Sequence, residues 1–152
     1  MTRVYLGSDH AGYVVKRVLI RRLRELGHEP VDVGPHAFVQ GDDYPPYVLE
    51  TARRVAADPG SLGVVLGESG NGEAIAANKV DGIRAVLAWS EDTARLGREH
   101  NDANVISIGA RVHSVAEATH FLEVFVKAPF SQDARHVRRI GMLTDYEQHR
   151  SK

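Results

Sequence analysis

The chain has no cysteine among its 152 residues. That excludes disulfides, thiolate metal centres and a thiol nucleophile, and it is compatible with a reducing compartment. It also lacks an excess of charge of either sign. Nineteen Lys and Arg face 20 Asp and Glu, a formal net charge of -1, so no global field draws in nucleic acid or acidic membranes. No apolar run approaches the ~18 residues of a membrane span. The N-terminal stretch Met1–Gly7 is followed by Asp9 before any run of signal-peptide length has formed. The expectation is an unprocessed cytoplasmic chain. There are no repeats, low-complexity segments or linker. The length suits one domain spanning 1–152, since domains run to roughly 100–200 residues.

What is present is an alternation of strand and helix signals. Short apolar runs at Val4–Gly7, Pro30–Val33, Leu62–Leu66, Ile83–Trp89 and Val105–Ile108 read as strands, the third being the most apolar and central. Apolar positions at helical spacing mark helices over 11–26 and 114–127, the first stopped by Gly27. Further helices are expected at 47–57, 73–79, from Ser90 onward with the serine as N-cap, and at about 131–148, while 36–46 reads as a loop. Strands alternating with helices predict an α/β fold, a Rossmann-like three-layer αβα sandwich on a five-stranded parallel sheet. In such sheets ligands bind at strand C-termini where the winding reverses. With strand order 2-1-3-4-5 the loops Ser8-Asp9-His10 and Glu68–Glu73 meet there.

The segment Gly67-Glu68-Ser69-Gly70-Asn71-Gly72-Glu73 is the densest chemical signal. Its glycines let the backbone turn sharply and approach a ligand, and the helix that follows points free N–H groups back into the loop, a nest for an anion. The same glycines also make a tight strand-to-helix turn with no ligand. The spacing does not fit the dinucleotide fingerprint, the P-loop or the nucleophile elbow. Glu73 at the helix start is held ionised by the helix dipole and pushed the other way by burial, a balance that suits a base for a carbon-bound proton. It is also an ordinary first-turn glutamate. Asp9-His10 at the end of the first strand offers an acid and an imidazole; the alternative is a cap beside a surface histidine. His100, in Glu99-His100-Asn101-Asp102, offers an imidazole that could move a proton, or is only part of a solvated helix end. Arg135 and Arg139, four apart on one helical face, suit a phosphate or a merely solvated basic face.

Taken together, Gly7-Ser8-Asp9-His10-Ala11-Gly12, Asp43-Tyr44-Pro45, Ser69–Lys79 and His100-Asn101-Asp102-Ala103-Asn104 resemble the ribose-5-phosphate isomerase B family, which includes galactose-6-phosphate isomerase subunits. The resemblance runs from residue 3 to about 148. It implies a metal-independent aldose–ketose isomerase that needs no cofactor, works on a phosphosugar through a cis-enediolate, and takes ribose 5-phosphate by default, with a four- or six-carbon phosphosugar as the alternative. Many members use a cysteine near the glycine-rich loop as base. Here that position is Gly67, and the chain resembles the actinobacterial branch in which a glutamate at the position of Glu73 takes the role. The resemblance further implies that His100, with Asp9, opens the furanose ring. Backbone N–H groups of Ser69, Gly70, Asn71 and Gly72 hold the enediolate, and Asn101 contacts a sugar hydroxyl. His10, Arg135, Arg139 and Arg111 grip the phosphate, and Tyr44 lines the pocket. It implies a homodimer or homotetramer with sites between subunits and the last helix contacting the partner. Glu68 departs from the expected glycine, and either points outward or narrows substrate choice. Two other readings stay open: a metal enzyme with Asp9, His10, Glu73 and His100 as ligands, and a phosphosugar-binding regulator without catalysis.

Overall fold

The computed structural model describes residues 1–150; residues 151 and 152 of the expected 1–152 domain lie outside them. In chain order the elements are β1 (Arg3–Ser8), a single 3-10 turn (His10–Gly12), α1 (Tyr13–Glu25), β2 (Glu29–Gly34), α2 (Tyr44–Ala57), β3 (Leu62–Gly67), α3 (Asn71–Ala77), β4 (Ala85–Ala88), α4 (Glu91–Asn101), β5 (Val105–Gly109), α5 (Val115–Lys127) and α6 (Ala134–His149). Every strand pairing is parallel.

The strands alternate their side chains between two helical layers, as a pleated strand must. On one face Val4, Leu6, Val64, Leu66, Ile106 and Ile108 pack against Leu19 and Leu23 of α1 and Phe121, Leu122 and Phe125 of α5. On the other, Val65 and Val105 meet Val48, Ala52 and Val55 of α2 and Ala77 of α3. Burying one such aliphatic or aromatic side chain contributes about 1.5–3 kcal/mol. The result is the expected αβα sandwich, with fully buried β3 at its centre.

The strand order is β2-β1-β3-β5-β4, not 2-1-3-4-5. β5 is buried at all of its positions, as a strand flanked on both sides requires, whereas β4 is short and half-buried and takes the edge. The winding still reverses between β1 and β3, so the crevice stays where the sequence placed it. Two helices begin earlier than their sequence signals. α2 starts at Tyr44 because Pro45 and Pro46 fall in its first turn, where a missing N–H costs nothing. α3 starts at Asn71, which makes Glu73 its third residue. α6 starts later than 131, at Ala134, where the Asp133 carboxylate caps Arg135 N–H. Ser90 and Ser114 both close capping boxes, each worth about 1 kcal/mol. No helix among the described residues is long and apolar enough to cross a membrane.

Candidate active site

β3 delivers the glycine-rich loop at the sheet's C-terminal edge. Gly70 has φ +85°, a left-handed conformation that favours glycine, and a Cβ there would lie 2.7 Å from Leu87 Cδ1. The Ser107 hydroxyl on β5 donates to Gly70 O at 2.7 Å, and Asn71 N–H donates to Ser69 Oγ at 3.2 Å. A Cβ on Gly72 would fall 2.4 Å from the Tyr44 hydroxyl, so the start of α2 lies directly against the loop. Ser69, Gly70, Asn71, Gly72 and Tyr44 thus form one wall.

Glu73 sits beneath this wall with 3% exposure. Burial raises its carboxyl pKa above the ordinary value. The negative charges of Asp9 and Glu68 add to the rise, and the N–H groups of Glu73 and Gly70 pull against it. The group is a stronger proton acceptor than a solvated glutamate. Asp9 is close enough for its charge to act on Glu73, so the loops after β1 and β3 do meet. Asp9 Oδ1 accepts from Ala11 N–H at 2.9 Å and Gly12 N–H at 3.4 Å, capping the 3-10 turn. His10 donates its backbone N–H to Asp42 Oδ1 at 2.7 Å, and its ring Nδ1 lies 3.0 Å from the same oxygen.

Among the described residues, the ligand-type atoms that gather within 4.8 Å of one another are those of Asp9, His10 and Asp42, without Glu73 or His100. The four-residue metal centre considered from the sequence is therefore not assembled as such. In the trio that is assembled, Asp9 Oδ1 is engaged by backbone donors and Asp42 Oδ1 by His10. Arg111 continues the β3–β5 register beyond the sheet. Its N–H donates to Glu68 O at 3.1 Å, and its guanidinium lies 3.7 Å from the Glu68 carboxylate. Glu68 thus points outward, at 72% side-chain exposure, and pairs with Arg111.

The remaining sequence candidates lie elsewhere. His100, Asn101 and Arg139 line a cavity of about 210 Å³ between α4 and α6, closed by His136, Ile140 and Leu143; no residue of the glycine loop lines it. Arg135 does not line it either; its guanidinium lies 3.6 Å from Asp133. His136 is a residue that the sequence reading passed over. Its ring stacks on His100 at 4.3 Å between centroids, and Ser131 Oγ lies 2.8 Å from its Nδ1. Burial, and then the neighbouring His100 and Arg135, lower its pKa below the usual imidazole value. The available signal was its spacing, since 136 and 139 share a helical face. Asp42 was passed over as well, with only the acidic pair before Tyr44-Pro45 to mark it.

A sequence model of the ribose/galactose isomerase family matches residues 4–143. The chain belongs to that family. It is 56% identical over 145 residues to ribose-5-phosphate isomerase B of Mycobacterium tuberculosis strain H37Rv, covering 95% of this chain and 90% of that protein. It is 34% identical to the Escherichia coli K12 ribose-5-phosphate isomerase B over 151 residues, covering 99% and 100%. Among solved structures it is similar to Mycoplasma genitalium ribose-5-phosphate isomerase B with bound ribulose-5-phosphate, at TM-score 0.94 and 35% identity over 97% of each chain. In this ribose/galactose isomerase, the position where many members are expected to carry cysteine is Gly67. A Cβ built there would lie 2.1 Å from Glu73 Oε2. The glutamate carboxylate occupies the room that a side chain at 67 would need.

Proposed function

We propose that this chain interconverts ribose 5-phosphate and ribulose 5-phosphate in the cytoplasm, as a metal-independent homodimer at least, with each site shared between subunits. The observation that carries the reading is a buried carboxylate of raised proton affinity, Glu73, set against a glycine-rich nest. Its family membership and the names of its relatives point the same way. Glu73 takes the proton from C2 of the open-chain aldose. The C–H electron pair becomes the C1=C2 bond of the enediolate, and the carbonyl oxygen at C1 gains the charge. N–H groups across Ser69–Gly72 hold that charge, as an oxyanion hole does. The hydroxyl proton on O2 passes to O1, and as the C2–O2 bond becomes the carbonyl the C1=C2 electron pair takes the proton back from Glu73 at C1, which completes the ketose. His100, with Asp9, opens the ring beforehand, and Asn101 contacts a hydroxyl. His10, Arg111, Arg135 and Arg139 hold the phosphate, and Tyr44 lines the pocket.

The shared site explains why one chain carries two incomplete halves. The base and the nest lie at β3, while His100, Asn101 and Arg139 line the α4–α6 cavity. In a dimer the second group completes the first across the interface. A panel of four-, five- and six-carbon aldose phosphates tests the substrate. The highest kcat/KM is expected for ribose 5-phosphate. A higher value for a tetrose or hexose phosphate would move the assignment, and tight binding of all with no turnover would make the protein a regulator.

A further inference from the structure

Asp42 has no part in the function proposed above, yet it is among the most constrained polar side chains near the site. It lies on the loop before α2, and its side chain is 9% exposed. Its Oδ1 takes two contacts from one residue, His10 N–H at 2.7 Å and His10 Nδ1 at 3.0 Å. Its Oδ2 is buried and has no hydrogen-bond partner among the described residues. Burying a carboxylate this way is costly without compensation, and its hydrogen-bonded partner is the His10 ring. Lys16, bonded to Asp32 and to Pro35 O, also feels its charge.

An ionised carboxylate only accepts hydrogen bonds, so the ring nitrogen facing it must be the donor. His10 therefore carries a proton on Nδ1, and Nε2 is the nitrogen left for a ligand. Phe38 meets the same ring edge-on, with centroids 6.3 Å apart, and limits its rotation. We propose that Asp42 is a positioning residue for substrate capture: it fixes the tautomer and orientation of His10 so that Nε2 is presented to the phosphorylated sugar. This rests on the isomerase reading, with His10 as a phosphate contact. Asp42 itself does not touch the substrate. Holding the ring beforehand removes the ordering cost that binding would otherwise incur.

Two measurements test this. The first is the ¹⁵N NMR signature of the His10 side chain in ligand-free protein, which reports the tautomer whether or not the protein is an isomerase. A protonated Nδ1 is expected in the wild type, and its loss is expected in Asp42→Ala. A wild-type ring protonated on Nε2 alone would overturn the proposal. The second is a double-mutant cycle with ribose 5-phosphate. Asp42→Ala is expected to raise KM about tenfold, the loss of one charged hydrogen bond, with kcat changed less than about twofold. In a His10→Ala background the same substitution is expected to leave KM unchanged. An equal rise in KM in that background would make Asp42 a merely structural residue. Should the alanine variant fail to fold, Asp42→Asn, whose amide oxygen still accepts from both the His10 amide and Nδ1, is expected to keep a protonated Nδ1 and a near-wild-type KM, and a ring protonated on Nε2 alone in that variant would overturn the proposal. A wild type without isomerase activity would defeat the proposed function, while the NMR result would still decide the role of Asp42.

Discussion

At position 67 a side chain and the Glu73 carboxylate compete for one volume: a built Cβ approaches both carboxylate oxygens, at 2.1 and 2.4 Å. The obstructing atoms are the end of a flexible side chain, so Gly67→Ala should fold and displace the carboxylate. A displacement on the order of 1 Å can cost ~10²-fold in rate. Gly67→Ala is therefore expected to keep a near-wild-type Tm and lose kcat by about that factor. A large fall in Tm with kcat per folded molecule intact would contradict the placement of the base. The environment that raises the Glu73 pKa also makes its ionised form a burden on the fold. A carboxyl with a raised folded-state pKa contributes stability below its ordinary value and loses it as pH rises through the raised one. Glu73→Gln, which resembles the protonated form, should then be more stable than the wild type above that range. A difference of about 1 kcal/mol would appear as ~2–4 °C in Tm. Thermal melts across pH should show the gap closing as pH falls below the ordinary carboxylate range, and a gap that widened there would reverse the sign of the shift.

Among the elements, α1 and α5 were legible because their apolar residues repeat at helical spacing, β3 because it is the most apolar run, and Ser90 was legible as a cap. The order of β4 and β5 was not legible. Both are short apolar runs, and nothing local in a strand encodes which neighbour it hydrogen-bonds. The start of α2 was obscured by Pro45 and Pro46, which read as loop residues until their place in a first turn is known. The glycine spacing disclosed the loop that carries Glu73. For Asp42 and His136 the local signals, an acidic pair and a helical spacing, did not single them out, because their surroundings are built by contacts such as His10 to Asp42, 32 residues apart, and by α4 packing on α6. α6 itself presents Met142, Leu143 and Tyr146 at 57–71% exposure, an apolar face that the described residues do not cover. Met142 lines neither cavity bordered by α6, so Met142→Glu reports on that face rather than on the site. At a solvated position it should cost within ~0.5 kcal/mol; buried between subunits it places an unpaired charge in an apolar contact. It is expected to sediment as a monomer with its circular dichroism unchanged, against a dimer for the wild type. A wild type that sediments as a monomer would remove the shared-site account.

For the whole molecule, the sheet places the buried Glu73 and the glycine-rich loop at one end, and the α4–α6 cavity holds two histidines, an asparagine and an arginine apart from them. Neither group alone opens a sugar ring, moves a proton and holds a phosphate. Joined across two copies in the proposed dimer, they would do all three. The step on which everything depends is the proton transfer assigned to Glu73. Its most direct test is Glu73→Gln assayed for both ribose 5-phosphate binding and isomerisation. Binding is expected to persist while turnover falls by at least the ~10²-fold typical of a lost general base. Near-normal turnover in that variant would contradict the assignment.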